Sequence, residues 1–186
     1  MVKRIFCLVL LLFSLTFYSC SMESVIPETG QIYSHYFENQ KLFSDTVSEL
    51  VGIGHDAFIS KTEYYSIENT DGIIDYYIQN MSDSACEAYD NEIVEKVFDI
   101  CNVKLIDVIY RGDLTVCTFD MCIPGKNYDY GIYYVTNDSP IYFGDPTVSL
   151  TESGKGFTYE QSASYGTKFT YYTEKLADNY YYYEIM

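Results

Sequence analysis

The sequence predicts an α+β domain, two helices packed on a curved antiparallel meander of about eight strands. Three observations lead there. Apolar residues recur at helical spacing in two early stretches, residues 31–51 and 82–100. From residue 104 onward the chain is a succession of short segments rich in Val, Ile, Thr, Tyr and Phe. Gly, Asp, Asn and Ser separate those segments at hairpin spacing. Helices first and a long run of strands afterwards is the α+β pattern.

In the first stretch Ile32, Tyr36, Phe43, Val47 and Leu50 form one amphipathic face, and Gly52-Ile53-Gly54 ends it. Residues 57–80 read less clearly. FISKTEYYSIEN fits a strand or a short helix capped by Asp56, Asn69-Thr70-Asp71-Gly72 is a turn, and GIIDYYIQN is a strand. The second helix is expected over 82–100, capped by Ser82 or by Ser84 with Glu87 in a capping box. Its apolar stripe would be Ala85, Ala88 with Tyr89, Ile93, Val97 and Ile100. Then come four expected hairpins. KLIDVIYR and LTVCTFDMCI turn at Gly112-Asp113, and GIYYVT and PIYFG at Asn137-Asp138-Ser139. TVSLTE and FTYEQS turn at residues 153–156, and TKFTYYT and YYYYEI at residues 174–179. The order of elements resembles the cystatin or nuclear-transport-factor arrangement, in which a sheet wraps a helix.

The N-terminus has its own logic. Lys3 and Arg4 precede an uncharged, almost wholly apolar run over residues 5–18. A bilayer-spanning helix needs about 20 residues, so this shorter run reads as a secretory signal. Phe17-Tyr18-Ser19-Cys20 follows. It resembles the lipobox of bacterial lipoproteins, with the small residue Ser19 before the invariant cysteine. Phe17 stands where an aliphatic residue is usual and Tyr18 where a small one is common. The resemblance implies cleavage after Ser19, a diacylglycerol on Cys20, and a lipid-anchored, extracytoplasmic protein of the bacterial cell envelope. With two membranes, Ser21 after the cysteine is compatible with the outer one. Two or three acyl chains meet the requirement for stable anchoring. The expected divisions are a signal peptide at 1–19, a lipid-anchored tether at 20–30 and one domain at 31–186. Segments such as YGIYYVTNDSPIYF and YYTEKLADNYYYYEI also resemble Tyr-rich domains of uncharacterised bacterial lipoproteins, which bring no activity with them.

Composition narrows the function. The chain has 11 basic and 27 acidic residues, a formal charge of −16. Loss of residues 1–19 removes Lys3 and Arg4 and no acid, so the mature charge is about −18. That argues against nucleic acid, whose phosphates need a basic footprint, and against lying on an anionic membrane surface. It suits solubility or a cationic partner. Twenty-two Tyr and 11 Phe argue against disorder.

No nucleophile elbow, HExxH, P-loop, dinucleotide fingerprint or EF-hand loop is present, and no cofactor or metal is implied. His35 lies on the first helix as a surface or boundary residue, while His55-Asp56 pairs an imidazole with a carboxylate. Asp71, Asp75, Asp107, Asp113, Asp120, Asp129, Asp138 and Asp145 supply carboxylates, and Asn69, Asp71 and Asp75 could gather oxygens for calcium. Four cysteines remain in the mature domain, Cys86, Cys101, Cys117 and Cys122, at spacings unlike a zinc ribbon. They form disulfides or stay free. If they bridge, Cys86 and Cys101 cannot pair, being about 22 Å apart along one helix. The hairpin register sets Cys122 opposite Val103, near Cys101, and leaves Cys86 for Cys117. Tyr171, Tyr172, Tyr180, Tyr181, Tyr182 and Tyr183 are expected to show one ring of each pair to solvent, a candidate binding patch for a protein or carbohydrate. Cross-strand tyrosines that merely stabilise the sheet are the alternative. The functional expectation is a binding or interaction module using an aromatic sheet face. An acidic immunity-type protein masking a basic toxin and a surface hydrolase are the alternatives, the last without a catalytic signature.

Overall fold

The computed structural model describes residues 29–61, 76–82, 86–121, 129–143, 145–162 and 168–186. The signal, Cys20, the tether up to residue 28, the Asn69/Asp71/Asp75 group, Ser84, Ala85 and Cys122 lie outside the described residues.

Helix α1, Thr29–Leu50, carries the expected stripe, and Ile32, Tyr36, Phe43, Val47 and Leu50 are all buried. It ends where Gly54 takes φ +78°. The Tyr110 hydroxyl sits 3.1 Å and 3.0 Å from the Leu50 and Val51 carbonyl oxygens and accepts from the Gly54 amide at 2.9 Å. A side chain from the sheet thus satisfies the helix-end carbonyls that have no partner inside the helix.

Among the described residues there are ten strands: β1 Ala57–Lys61, β2 Tyr76–Asn80, β3 Cys86–Ala88, β4 Leu105–Arg111, β5 Leu114–Asp120, β6 Asp129–Val135, β7 Thr151–Ser153, β8 Gly156–Ser162, β9 Lys168–Ala177 and β10 Tyr180–Ile185. They form one sheet in the order β3-β2-β1-β4-β5-β6-β10-β9-β8-β7, and every pairing is antiparallel. The fold is therefore α+β and dominated by its sheet, with ten strands where about eight were expected. The sheet is not a single run. β7 to β10 start at the far edge and work inward until β10 lies beside β6.

Two expectations fail here. The second helix, α2, is Glu92–Cys101. Residues 86–88 instead pair with β2 at the sheet edge. Asn91 caps α2 in place of either serine, accepting from the Ile93 and Val94 amides at 3.0 Å and 3.1 Å. The later start shifts the buried face to Val94, Val97, Phe98 and Cys101, and leaves Ile100 57% exposed. PIYFG, secondly, forms no hairpin with GIYYVT. β6 and β7 are separated by β10, β9 and β8, so residues 136–150 must cross about 19 Å of sheet at roughly 4.8 Å per strand. Of these, residues 136–143 and 145–150 run over the outer face as a strap. The last hairpin also turns later than expected, at Asp178-Asn179, because β9 continues to Ala177.

The helices and the strap give the sheet two cores. On the helix face Phe43 meets Phe119 edge to face, ring centroids 5.2 Å apart, and Tyr36 lies 5.2 Å from Tyr180. On the outer face Leu114, Val116, Tyr133, Val135, Tyr171, Tyr181 and Tyr183 pack beneath Ile141 of the strap.

Two glycines allow tyrosine rings to lie flat across neighbouring strands. A Cβ on Gly131 would sit 2.2 Å from the Phe119 carbonyl oxygen and 2.9 Å from the Tyr183 ring. On Gly156 it would sit 2.2 Å from the Thr173 oxygen and 2.9 Å from the Tyr172 ring. Gly131→Ala and Gly156→Ala should each destabilise the domain by about 3 kcal/mol, the upper end for overpacking. Gly30→Ala meets open space and should cost nothing or stabilise by up to about 1 kcal/mol. Urea titration of the three variants checks both expectations.

Candidate functional site

The tyrosines alternate between faces as strand geometry requires, but both faces are covered. Tyr171, Tyr180, Tyr181, Tyr182 and Tyr183 are all buried, none more than 7% exposed, and only Tyr172 of the expected patch is half-buried. The exposed patch on the final hairpin is therefore corrected to one ring, because the strap covers the outer face and α1 the other. Three of the outer-face hydroxyls point at the strap. The Ile141 amide donates to Tyr133 Oη at 3.2 Å, Tyr171 Oη donates to the Ile141 carbonyl at 2.8 Å, and Tyr181 Oη donates to the Asp138 carbonyl at 2.8 Å.

Tyr172 opens onto the polar cluster that the fold does assemble. On β9 and β10, Tyr172 faces Glu184 and Glu174 faces Tyr182, a square of two tyrosines and two carboxylates on the helix face. Tyr172 Oη donates to Glu174 Oε2 at 2.6 Å, and Tyr182 donates to Glu184. Tyr33, reaching from the first turns of α1, donates to Glu174 Oε1 at 2.7 Å. Burial, then the hydrogen bond to Glu174 and its charge, push the Tyr33 and Tyr172 hydroxyls well above the usual phenol range, so both stay donors. Beside them an open pocket of about 420 Å³ is lined by Gly30, Tyr33, Lys155 and Glu174. Lys155 rides on the tight β7–β8 turn, where Gly154 has φ +62°. Sequence reasoning missed Tyr33, Lys155 and Glu174. A signal existed for the last, since Tyr172-Thr173-Glu174 and Tyr182-Tyr183-Glu184 repeat Tyr-x-Glu on paired strands. Nothing local could link Tyr33 to a strand 141 residues away.

A second cluster lies on the outer face. Asp107 opposes Thr118, and Asp120, two residues further along the same face, opposes Gly131. Asp129 stands two residues from Gly131 on that face, and Tyr183 reaches across the glycine to hydrogen-bond Asp120. Burial and the charge of Asp129 push Asp107 up to about 6. Burial and both neighbours push Asp120 well above the carboxylate range, and burial raises Asp129 despite a backbone hydrogen bond. Among the described residues no group of three or more His, Cys, Asp or Glu side chains is arranged to hold a metal ion.

The remaining expected residues do not converge. His35 lies 3.1 Å from the Cys101 carbonyl oxygen and His55 3.1 Å from that of Ile53. Asp56 is turned to structure. Burial would raise its pKa, but the Arg111 guanidinium at 2.7 Å and the Tyr110 amide lower it. Asp138 and Asp145 lie in the strap, Asp138 bound to Lys175 and the Asn179 amide, Asp145 to Thr147, and Asp113 is exposed in the β4–β5 turn. Among the described residues Cys86, Cys101 and Cys117 form no disulfide with one another. The Cys86–Cys117 pairing is incompatible with this fold. Cys86 is on β3, not on a helix, four strands from β5. That is about 19 Å, where a bridge needs Cα atoms within roughly 7 Å. The register behind the other pair, Arg111 opposite Leu114, holds as far as Leu105 opposite Asp120. Burial pushes the Cys101 and Cys117 thiols up to about 12, which makes them poor nucleophiles.

The chain matches no known family model, no curated protein and no solved structure.

The outer-face aspartates set an unusual pH dependence. Their folded pKa values lie above the unfolded value of about 3.9, so their stabilising contribution is whole below about pH 4. It is lost as pH rises through about 6 for Asp107 and higher for Asp120. Asp56 and Asp99, with lowered values, act in the opposite sense and lose their contribution only as pH falls below about 4. The urea midpoint should rise as pH is taken from about 7.5 to about 5. Asp120→Asn should raise the neutral-pH midpoint and flatten that slope. A midpoint that falls or stays level over the interval contradicts this reading of the cluster.

Proposed function

We propose that this chain is a bacterial lipoprotein whose domain is a ligand-binding module, held at the cell envelope by lipid on Cys20. The observation that supports a binding role is the Tyr33–Glu174–Lys155 pocket. It combines aromatic surface, a carboxylate fixed by two hydroxyls and a cation on a turn, inside the range of about 300–1,000 Å³ usual for ligand pockets.

The tether supports the same reading. Gly30 lines the pocket, and only eight residues lie between Cys20 and Thr29. Such a length spans at most about 30 Å. Lipid on Cys20 would keep the pocket close to the membrane face on which the protein is anchored. The ligand on this reading is a component of the envelope or a molecule arriving at it, and the acidic charge argues against a nucleic acid.

In cells fed a palmitate analogue, the full chain should be labelled and sediment with the envelope, while Cys20→Ser should be unlabelled and released. Equal labelling of both would overturn the anchor. A photo-crosslinking side chain placed at Lys155 should form an adduct in intact cells. The same group at Lys96, exposed on α2, should not. Identical behaviour at the two positions would overturn the binding role of the pocket.

A further inference from the structure

We propose that the pocket between the start of α1 and the β7–β8 turn is a carbohydrate subsite that takes a neutral sugar ring. The proposal rests on the binding-module reading above and names its ligand class.

The argument begins with Glu174. A carboxylate has about four lone-pair sites. Tyr33 occupies one on Oε1 at 2.7 Å and Tyr172 one on Oε2 at 2.6 Å. The two tyrosines approach from different elements, α1 and β9, so the carboxylate is braced from both sides and cannot swing away. Among the described residues these two hydroxyls leave one site on each oxygen open, and Glu174 lines the pocket. Two acceptors side by side on a fixed plane match two donors on adjacent carbons, which is the geometry of a vicinal diol.

The other walls complete the match. Lys155 offers three donors and no acceptor, suited to the ring or hydroxyl oxygens of the same sugar. Tyr33 lines the pocket as well, and an aromatic ring beside polar groups suits the apolar C–H face of a pyranose. Gly30 adds no side chain, and the space beside it is open.

The alternatives fail on charge. An anion would meet Glu174 at contact range and a chain of net charge −16. An ammonium ligand would share about 420 Å³ with Lys155. An apolar ligand would displace water from a carboxylate and an ammonium without replacing it, a heavy desolvation cost. A neutral polyol uses the acceptor, the donor and the ring together.

The test uses the full chain in a zwitterionic, sugar-free detergent, probed on an array of neutral oligosaccharides of hexoses and N-acetylhexosamines. The best array hit is then titrated calorimetrically. The wild type should bind at least one of these glycans. Glu174→Gln should weaken that binding at least tenfold, and Lys155→Ala and Tyr33→Phe about fivefold each, while Lys96→Ala leaves it unchanged. Lys155 is exposed on a turn, so its variant keeps the test valid if Glu174→Gln fails to fold. Absence of any neutral glycan binding, or binding equal in wild type and Lys155→Ala, overturns the sugar subsite. If the Lys155 photo-adduct persists in that case and proves to be peptide, the binding module stands with a protein ligand. If the adduct is absent too, both readings fall.

Discussion

The connection between β6 and β7 has to cross β10, β9 and β8, and its backbone amides and carbonyls have to find partners while it does so. Three tyrosine hydroxyls from the sheet below provide them, at Ile141 N–H, Ile141 C=O and Asp138 C=O. A buried backbone group without a partner costs about 1–3 kcal/mol, and an all-Phe outer face would take these partners from the Ile141 amide and carbonyl. Tyr133 relays further, to Thr173 Oγ1 at 2.9 Å, which donates to the Tyr182 carbonyl at 2.7 Å. The ring of each residue fills the outer core and its hydroxyl holds the chain above. At Tyr133 the hydroxyl must accept as well as donate, which Trp, a donor with no acceptor, could not do.

The same constraint positions the candidate site. Asp138, in the strap, accepts from the Asn179 amide at 2.7 Å and from Lys175 Nζ at 2.6 Å, which ties the β6 exit to the β9–β10 turn. With that hairpin held from outside, its other face presents Tyr172, Glu174, Tyr182 and Glu184 toward α1, where Tyr33 closes the cluster. On the outer face the price is electrostatic: Asp107, Asp120 and Asp129 share a half-covered surface, where burial raises the pKa of all three and neighbouring carboxylate charge adds to the rise at Asp107 and Asp120.

Much of this was legible from local pattern. The five-residue stripe of α1 and the register of the β4–β5 hairpin come straight from spacing, because periodicity and a two-residue turn are local signals. The Asp107–Asp120 juxtaposition follows from that same register. α2 was misplaced because Cys86, Glu87 and Ala88 carry helix-compatible residues whose fate is decided by an open sheet edge, while the Asn91 cap is one polar residue among several. PIYFG has the composition of a strand, yet the reversed order of the last four strands leaves no strand for it to pair with. Tyrosine exposure could not be read at all, since alternation gives the face of a ring and only topology says what covers that face. The pocket was hidden for the same reason: its parts meet across the whole chain.

Hydrogen exchange at the Ile141 amide is the most direct measurement of the tyrosine-held strap. In the wild type this amide should exchange only through a substantial opening, as core amides do. In Tyr133→Phe, with the fold intact by circular dichroism, it should exchange about tenfold faster, the equivalent of one lost hydrogen bond of roughly 1.4 kcal/mol. An Ile141 amide that exchanges freely in the wild type, or at an unchanged slow rate in Tyr133→Phe, would contradict the account.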